Sequence, residues 1–244
     1  MTNLTAATLV ILAILSSEIF AQNSENKRAL KVYTNVLIES QERSFDFGPT
    51  DSLNYFLAID DFQIGYFTPA INFIRENGNI HEIELSRFTF GRIKADSLTV
   101  FTDSDRNSRV RIGPALNRIQ IAFRYEYLWL INKSNPDSKW KVYLGFAGEP
   151  FLRSLNYRPA ETTDFPFTLL DVGINISAVP RITYFLNERW FMDINIPFTV
   201  SQLAYRTESS ENPQIPVNDR SVNSFETEAF PSIFQVRVGG GLRF

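Results

Sequence analysis

At 244 residues, with 44% hydrophobic and 21% charged side chains, the chain fits one folded domain and is too polar for a helical membrane protein. A formal net charge of −3 leaves no electrostatic footprint for nucleic acid. The lack of any Cys excludes disulfides, thiol catalysis, Cys-based metal sites and the lipid anchor that bacterial lipoproteins build on a Cys.

Residues 9–15 form an apolar run that exits through Ser16, Ser17 and Phe20-Ala21-Gln22. This pattern predicts a signal peptide over residues 1–21, with Ala21 the last residue before cleavage, and a mature domain over residues 22–244. Two features depart from the usual signal: no Lys or Arg precedes Leu9, and Ile19 is large for its position. The run is too short to cross a bilayer as a helix, which takes about 20 apolar residues.

After a polar stretch at residues 23–28, side chains alternate apolar and polar almost to the end of the chain. Period two is the strand signal, because successive side chains point to opposite faces. Leu30, Val32, Thr34, Val36 and Ile38 predict a first strand, and residues 67–74 a second. Residues 80–93 predict a third, whose phase slips between Leu85 and Phe88; a β-bulge near Ser86 accounts for the slip. The clearest strand is residues 118–131, with Ile119, Ile121, Phe123, Tyr125, Tyr127, Trp129 and Ile131 on one face. Residues 139–146, 170–177 and 192–201 alternate in the same way, and so does the last segment from Phe234 to Phe244. Glu76-Asn77-Gly78-Asn79 is a hairpin turn, and the connections at 132–138 and 187–189 are also short. Longer polar stretches at 39–61, 94–112, 149–167 and 206–230 alternate with these turns. About eight antiparallel strands result, an all-β up-and-down barrel, although residues 39–67 leave room for an extra pairing around 53–59.

A soluble barrel also alternates, with its apolar face inward, whereas a transmembrane barrel turns that face to lipid. The inverted arrangement is favoured on four grounds. The strands reach the 9–11 residues or so that a tilted crossing needs. Gly239 and Gly241 lie on the polar face beside Arg237 and Arg243, as a crowded lumen requires. Trp129, Trp140 and Trp190 all fall beside short turns, like one ring of an interfacial aromatic girdle. Short and long connections alternate, as periplasmic turns and outer loops do.

The terminal Phe244, with Phe234, Val236, Val238 and Leu242 at alternate positions before it, resembles the last strand of outer-membrane β-barrels. By size and strand count the chain is similar to the small eight-stranded OmpA/OmpX-type barrels of Gram-negative outer membranes. The resemblance implies residence in the outer membrane among its lipids, and recognition of the last strand by the barrel-assembly machinery.

With the apolar face outward, Arg118, Arg124, Glu126, Lys141, Asp171, Arg181, Asp193, Arg237 and Arg243 point into the lumen. Unpaired charges there are costly, so a paired network is expected that fills and locks the barrel; a narrow ion path is the competing reading. The one His, His81, follows the Asn77-Gly78 turn and so lies at the periplasmic end. Barrel enzymes that modify lipid A work at the outer leaflet, so His81 reads as a turn-proximal side chain and no catalytic residue is assigned. Asp103 and Asp105, with Asp96 nearby, lack the Gly and terminal Glu of a Ca²⁺ loop and read as solvated surface. No cofactor or metal is expected. The leading functional expectation is a non-enzymatic structural or interaction barrel that presents outer loops to a protein partner. The alternative is a narrow channel or small-solute uptake protein; a lipid-modifying enzyme and a soluble lipocalin-like carrier rank lower.

Overall fold

A computed structural model describes residues 27–45, 55–94, 97–101, 108–112, 115–134, 137–159, 165–231 and 233–244. The expected signal segment, and the acidic residues Asp96, Asp103 and Asp105, lie outside the described residues.

Among the described residues the wall is a closed antiparallel barrel of eight strand positions. In order they are β1 (Lys27–Phe45), β2 (Tyr55–Ile74), β3 (Ile80–Lys94), β6 (Ala115–Leu130), β7 (Trp140–Arg158), β8 (Phe167–Phe185), β9 (Trp190–Asn195) continued by β10 (Phe198–Ser210), and β12 (Ile233–Arg243). Closure comes from β1, which pairs with β2 on one side and with β12 on the other, from Ala29↔Arg243 to Glu39↔Ile233. Closing the sheet removes the open edge that would otherwise present unpaired backbone to lipid. Pro197 has no N–H to give a ladder, so β9 and β10 are separated at Ile196-Pro197. Both keep one register on β8, from Arg181↔Asn195 to Ala178↔Phe198, so they fill a single wall position.

Each strand turns its apolar set outward. Val32, Ile38, Phe123, Tyr125, Val142, Leu144, Phe146, Ile182, Met192, Ile194 and Phe234 are exposed. Their inward neighbours Lys31, Asn35, Arg124, Glu126, Arg181, Thr183, Asp193, Asn195, Gln235 and Arg237 are buried. This is the reverse of a soluble barrel and matches a wall facing hydrocarbon. Small apolar clusters occupy the remaining lumen: Ile80, Leu128, Tyr143, Ala147 and Val179 toward the short turns, and Ala122, Phe151 and Ala204 farther up.

The phase slip in the third strand has the expected place and cause. The register of β3 on β6 shifts between Glu84 and Arg87, where two β3 residues oppose one on β6. The Asn-Gly turn also forms as read: Gly78 has φ +82°, a conformation open to Gly at little cost, and its N–H donates to the Arg75 carbonyl at 2.9 Å.

The long polar stretches need correction. Residues 39–45 and 55–61 are not loop but ladder, from Glu39↔Asp61 to Phe45↔Tyr55. The stretch at 94–112 contains the hairpin β4 (Ser97–Phe101) and β5 (Ser108–Ile112). β7 runs on to Arg158, and β10 pairs with β11 (Ser221–Ala229) from Ser201↔Ala229 to Ser209↔Ser221. β7 and β8 have 19 residues each, far more than a bilayer crossing takes. Beyond the hydrocarbon a strand keeps its backbone ladder but loses the demand for an apolar outer face. Its alternation fades while its structure persists.

Candidate functional site

The lumen contains a layered ion-pair network. Its centre is Glu82 of β3, which accepts from the Lys31 ammonium of β1 at 2.6 Å and from both Nη atoms of Arg181 of β8 at 2.7 and 2.8 Å. The Tyr33 hydroxyl donates to the same carboxylate at 2.7 Å, and Arg237 of β12 reaches it at 3.2 Å. Lys31 also meets Asp193 of β9 at 2.5 Å. Arg181 pairs with Glu126 of β6, and Arg237 meets Glu126 at 2.6 Å and Glu84 at 3.1 Å. These side chains come from β1, β3, β6, β8, β9 and β12, and Lys31, Glu82, Glu84, Glu126, Arg181, Asp193 and Arg237 have no exposed side-chain surface.

A second tier lies above. Arg124 pairs with Glu149 at 2.5 Å and donates to the Gln235 amide oxygen at 2.8 Å, while Arg87 reaches Glu149 at 3.8 Å. The two tiers together hold Lys31, Arg87, Arg124, Arg181 and Arg237 against Glu82, Glu84, Glu126, Glu149 and Asp193, so five cations face five carboxylates. Farther toward the long loops, Arg206 pairs with Asp171 at 2.9 Å and with Glu226.

Three carboxylates, Glu82, Glu84 and Glu126, converge with oxygens inside 4.8 Å of one another, the geometry of a metal cluster. The Arg237 guanidinium already stands among them, within 3.2 Å of an oxygen of each. A fixed organic cation therefore takes the place and the charge that a metal ion would supply.

The glycines of β12 make room for this packing. A Cβ on Gly239 would fall 2.7 Å from Asp193 Oδ1 and from the Tyr33 ring, and one on Gly241 would overlap the Phe191 ring. Arg237 stacks over the same Tyr33 ring with its guanidinium carbon 4.2 Å from the centroid, a contact that needs the missing side chain beside it.

Of the nine charges assigned to the lumen from sequence, Arg124, Glu126, Arg181, Asp193 and Arg237 meet in the two lower tiers, and Asp171 belongs to the Arg206 cluster. Arg118, Lys141 and Arg243 face inward but are half-buried, Arg243 lying 5.1 Å over the Phe185 ring near the rim. Sequence reasoning missed Lys31, Tyr33, Glu82, Glu84 and Glu149. Lys31, Tyr33 and Asn35 stand opposite the apolar set of the first strand, and that alternation was sufficient to find them. Glu82 and Glu84 precede the phase slip and stand opposite the outward Ile83, so the same alternation applies to them.

Trp129, Trp140 and Trp190 all face outward at the short-turn ends of β6, β7 and β9. Trp129 packs on Tyr127 and Phe146 at 5.0 and 5.3 Å, and Trp140 on Tyr184 at 4.6 Å. Phe234, Val236, Val238, Leu242 and Phe244 lie on the outward side of β12, and the Phe244 N–H donates to the Arg28 carbonyl at 2.9 Å. His81 also faces outward. Its Nε2 accepts from Arg75 Nε at 2.7 Å, and its Nδ1 lies 2.6 Å from the Tyr125 hydroxyl.

No protein-family model and no curated protein matches the chain. Among solved structures, a major outer membrane protein of Thermus thermophilus is similar at 11% identity and a TM-score of 0.42, covering 88% of this chain and 99% of that one. The outer membrane protein AlkL is similar at 9% identity and a TM-score of 0.43, with 92% of each chain covered. At such values the likenesses add nothing to the argument from geometry. That geometry, a closed eight-position antiparallel wall with its apolar face outward and its charges inward, makes the chain an outer-membrane-type β-barrel.

Proposed function

We propose that this barrel is a structural and interaction protein of the outer membrane, with a lumen closed to ions and solutes, that holds its long-loop end outward for a protein partner. The observation that carries the reading is the lower network, which ties six wall strands together across the lumen with side chains that have no exposed surface. A water-filled pore of this strand number would have to pass between Glu82, Arg181 and Arg237, whose paired atoms lie 2.7–3.2 Å apart. Small barrels generally fill their interiors in this way. On this reading the chain is exported by residues 1–21 and inserted by the barrel-assembly machinery through its Phe244 strand. Among the described residues His81 hydrogen-bonds Arg75 and Tyr125, neither of them the Ser of a Ser–His pair, which supports a non-enzymatic role.

Planar-bilayer recording tests the proposal. The wild type is expected to stay silent, and Arg181→Ala with Arg237→Ala to produce discrete conductance steps. Steady conductance from the wild-type protein would overturn the closed-lumen reading in favour of the channel.

A further inference from the structure

Phe73, Arg75, Glu76, Asn77, His81, Ile83 and Tyr125 line an outward groove of about 660 Å³ at the short-turn rim. From its geometry we propose that this groove binds one phospholipid whose headgroup carries both a phosphate and an ammonium, as phosphoethanolamine does.

The groove is graded along the membrane normal. Its rim is the turn that bears Arg75, Glu76 and Asn77, level with the Trp girdle because Leu130, next to Trp129, donates its N–H to Asn79 Oδ1 at 3.2 Å. Deeper in, Phe73 pairs with His81 across β2 and β3, and Ile83 pairs with Tyr125 across β3 and β6, so all four outward side chains form one wall. A headgroup at the rim would thus lead its acyl chains directly onto Phe73 and Ile83.

The polar groups form a directed chain. Arg75 can only donate, so its bond to His81 Nε2 fixes the imidazole as the tautomer with its proton on Nδ1. That proton points to the Tyr125 oxygen, which accepts it at 2.6 Å. The Tyr125 hydrogen is then left to donate outward. Among the described residues no carboxylate forms a salt bridge with Arg75, so its two Nη groups are also left to donate. Two donor groups at a membrane boundary, one of them a guanidinium, suit a phosphate. Glu76 on the same rim would repel a purely anionic headgroup and attract an ammonium.

The test is native mass spectrometry of the full chain, folded in detergent and exposed to equal amounts of phosphatidylethanolamine and phosphatidylglycerol. One phosphatidylethanolamine per barrel is expected to be retained. Tyr125→Phe, which keeps the ring, and Arg75→Ala should each lower retention about tenfold or more, the scale of a lost hydrogen bond to a charged group. Glu76→Gln should abolish the preference over phosphatidylglycerol. Heat-shifted gel mobility confirms that each variant is folded. Equal retention in Tyr125→Phe and Arg75→Ala would overturn the site. Displacement of all lipid by millimolar inorganic phosphate would overturn it too, by showing a phosphate site only. Retention that is indifferent to headgroup in the wild type would overturn the assignment to an ammonium-bearing lipid.

Discussion

Glu82→Gln is the most informative single change to the lumen. The substitution preserves volume and removes one negative charge, leaving Lys31, Arg181, Arg237 and the Tyr33 hydroxyl around an amide that can no longer neutralise them. The two tiers then carry five cations against four carboxylates, from the five against five of the wild type. Breaking a buried ion pair by removing one partner costs about 3–5 kcal/mol, because the remaining charge cannot be hydrated. With a urea slope of about 3 kcal/mol per molar, the unfolding midpoint should fall by roughly 1–1.7 M. The assay is Trp fluorescence in phospholipid vesicles, where the outward Trp129, Trp140 and Trp190 report loss of the membrane environment. Replacing both charges, Glu82→Met with Arg181→Met, should cost less than Glu82→Gln alone, since no charge is orphaned. A midpoint within about 0.2 M of wild type for Glu82→Gln would refute the claim that this network holds the barrel shut.

Two further changes test the packing of the wall. Gly239→Ala places a Cβ 2.7 Å from Asp193 Oδ1 and the Tyr33 ring and should cost about 1–3 kcal/mol in the same unfolding assay, whereas Gly240→Ala, with nothing within 4 Å, should be close to neutral. Phe123→Arg puts a cation on the outward face seven residues into β6 from its short-turn end, near the middle of the apolar band. It should cost about 2–4 kcal/mol in bilayers; a gain in solubility without loss of stability would mean that this face meets water.

Much of the barrel was legible because lipid enforces alternation. The strands containing Ile119–Ile131 and Phe234–Phe244 cross the hydrocarbon, so each outward position must be apolar, and the lumen charges follow by parity. Even the bulge at Ser86 could be seen, since an extra residue flips the phase of everything after it. The hidden parts have two physical causes. Above the bilayer, the segment from Glu39 to Phe45 and the β10–β11 hairpin keep their backbone ladders, but their polar sequences read as loop. In the lumen, parity shows which charges face inward but not which meet, because that depends on register between distant strands. Nothing in the sequence places Lys31 against Asp193 or Arg237 against Glu126. The same holds for the outward groove: His81 reads as an isolated His until the β3–β6 register sets Tyr125 within hydrogen-bond distance.

The inside-out barrel is tested most directly by gel mobility of the membrane-extracted protein, with and without boiling. The account predicts a compact, fast-migrating form in detergent that shifts on heating, because the closed ladder and the charged lumen resist detergent until they are melted. A protein found in the soluble fraction, with the same mobility before and after heating, would contradict it.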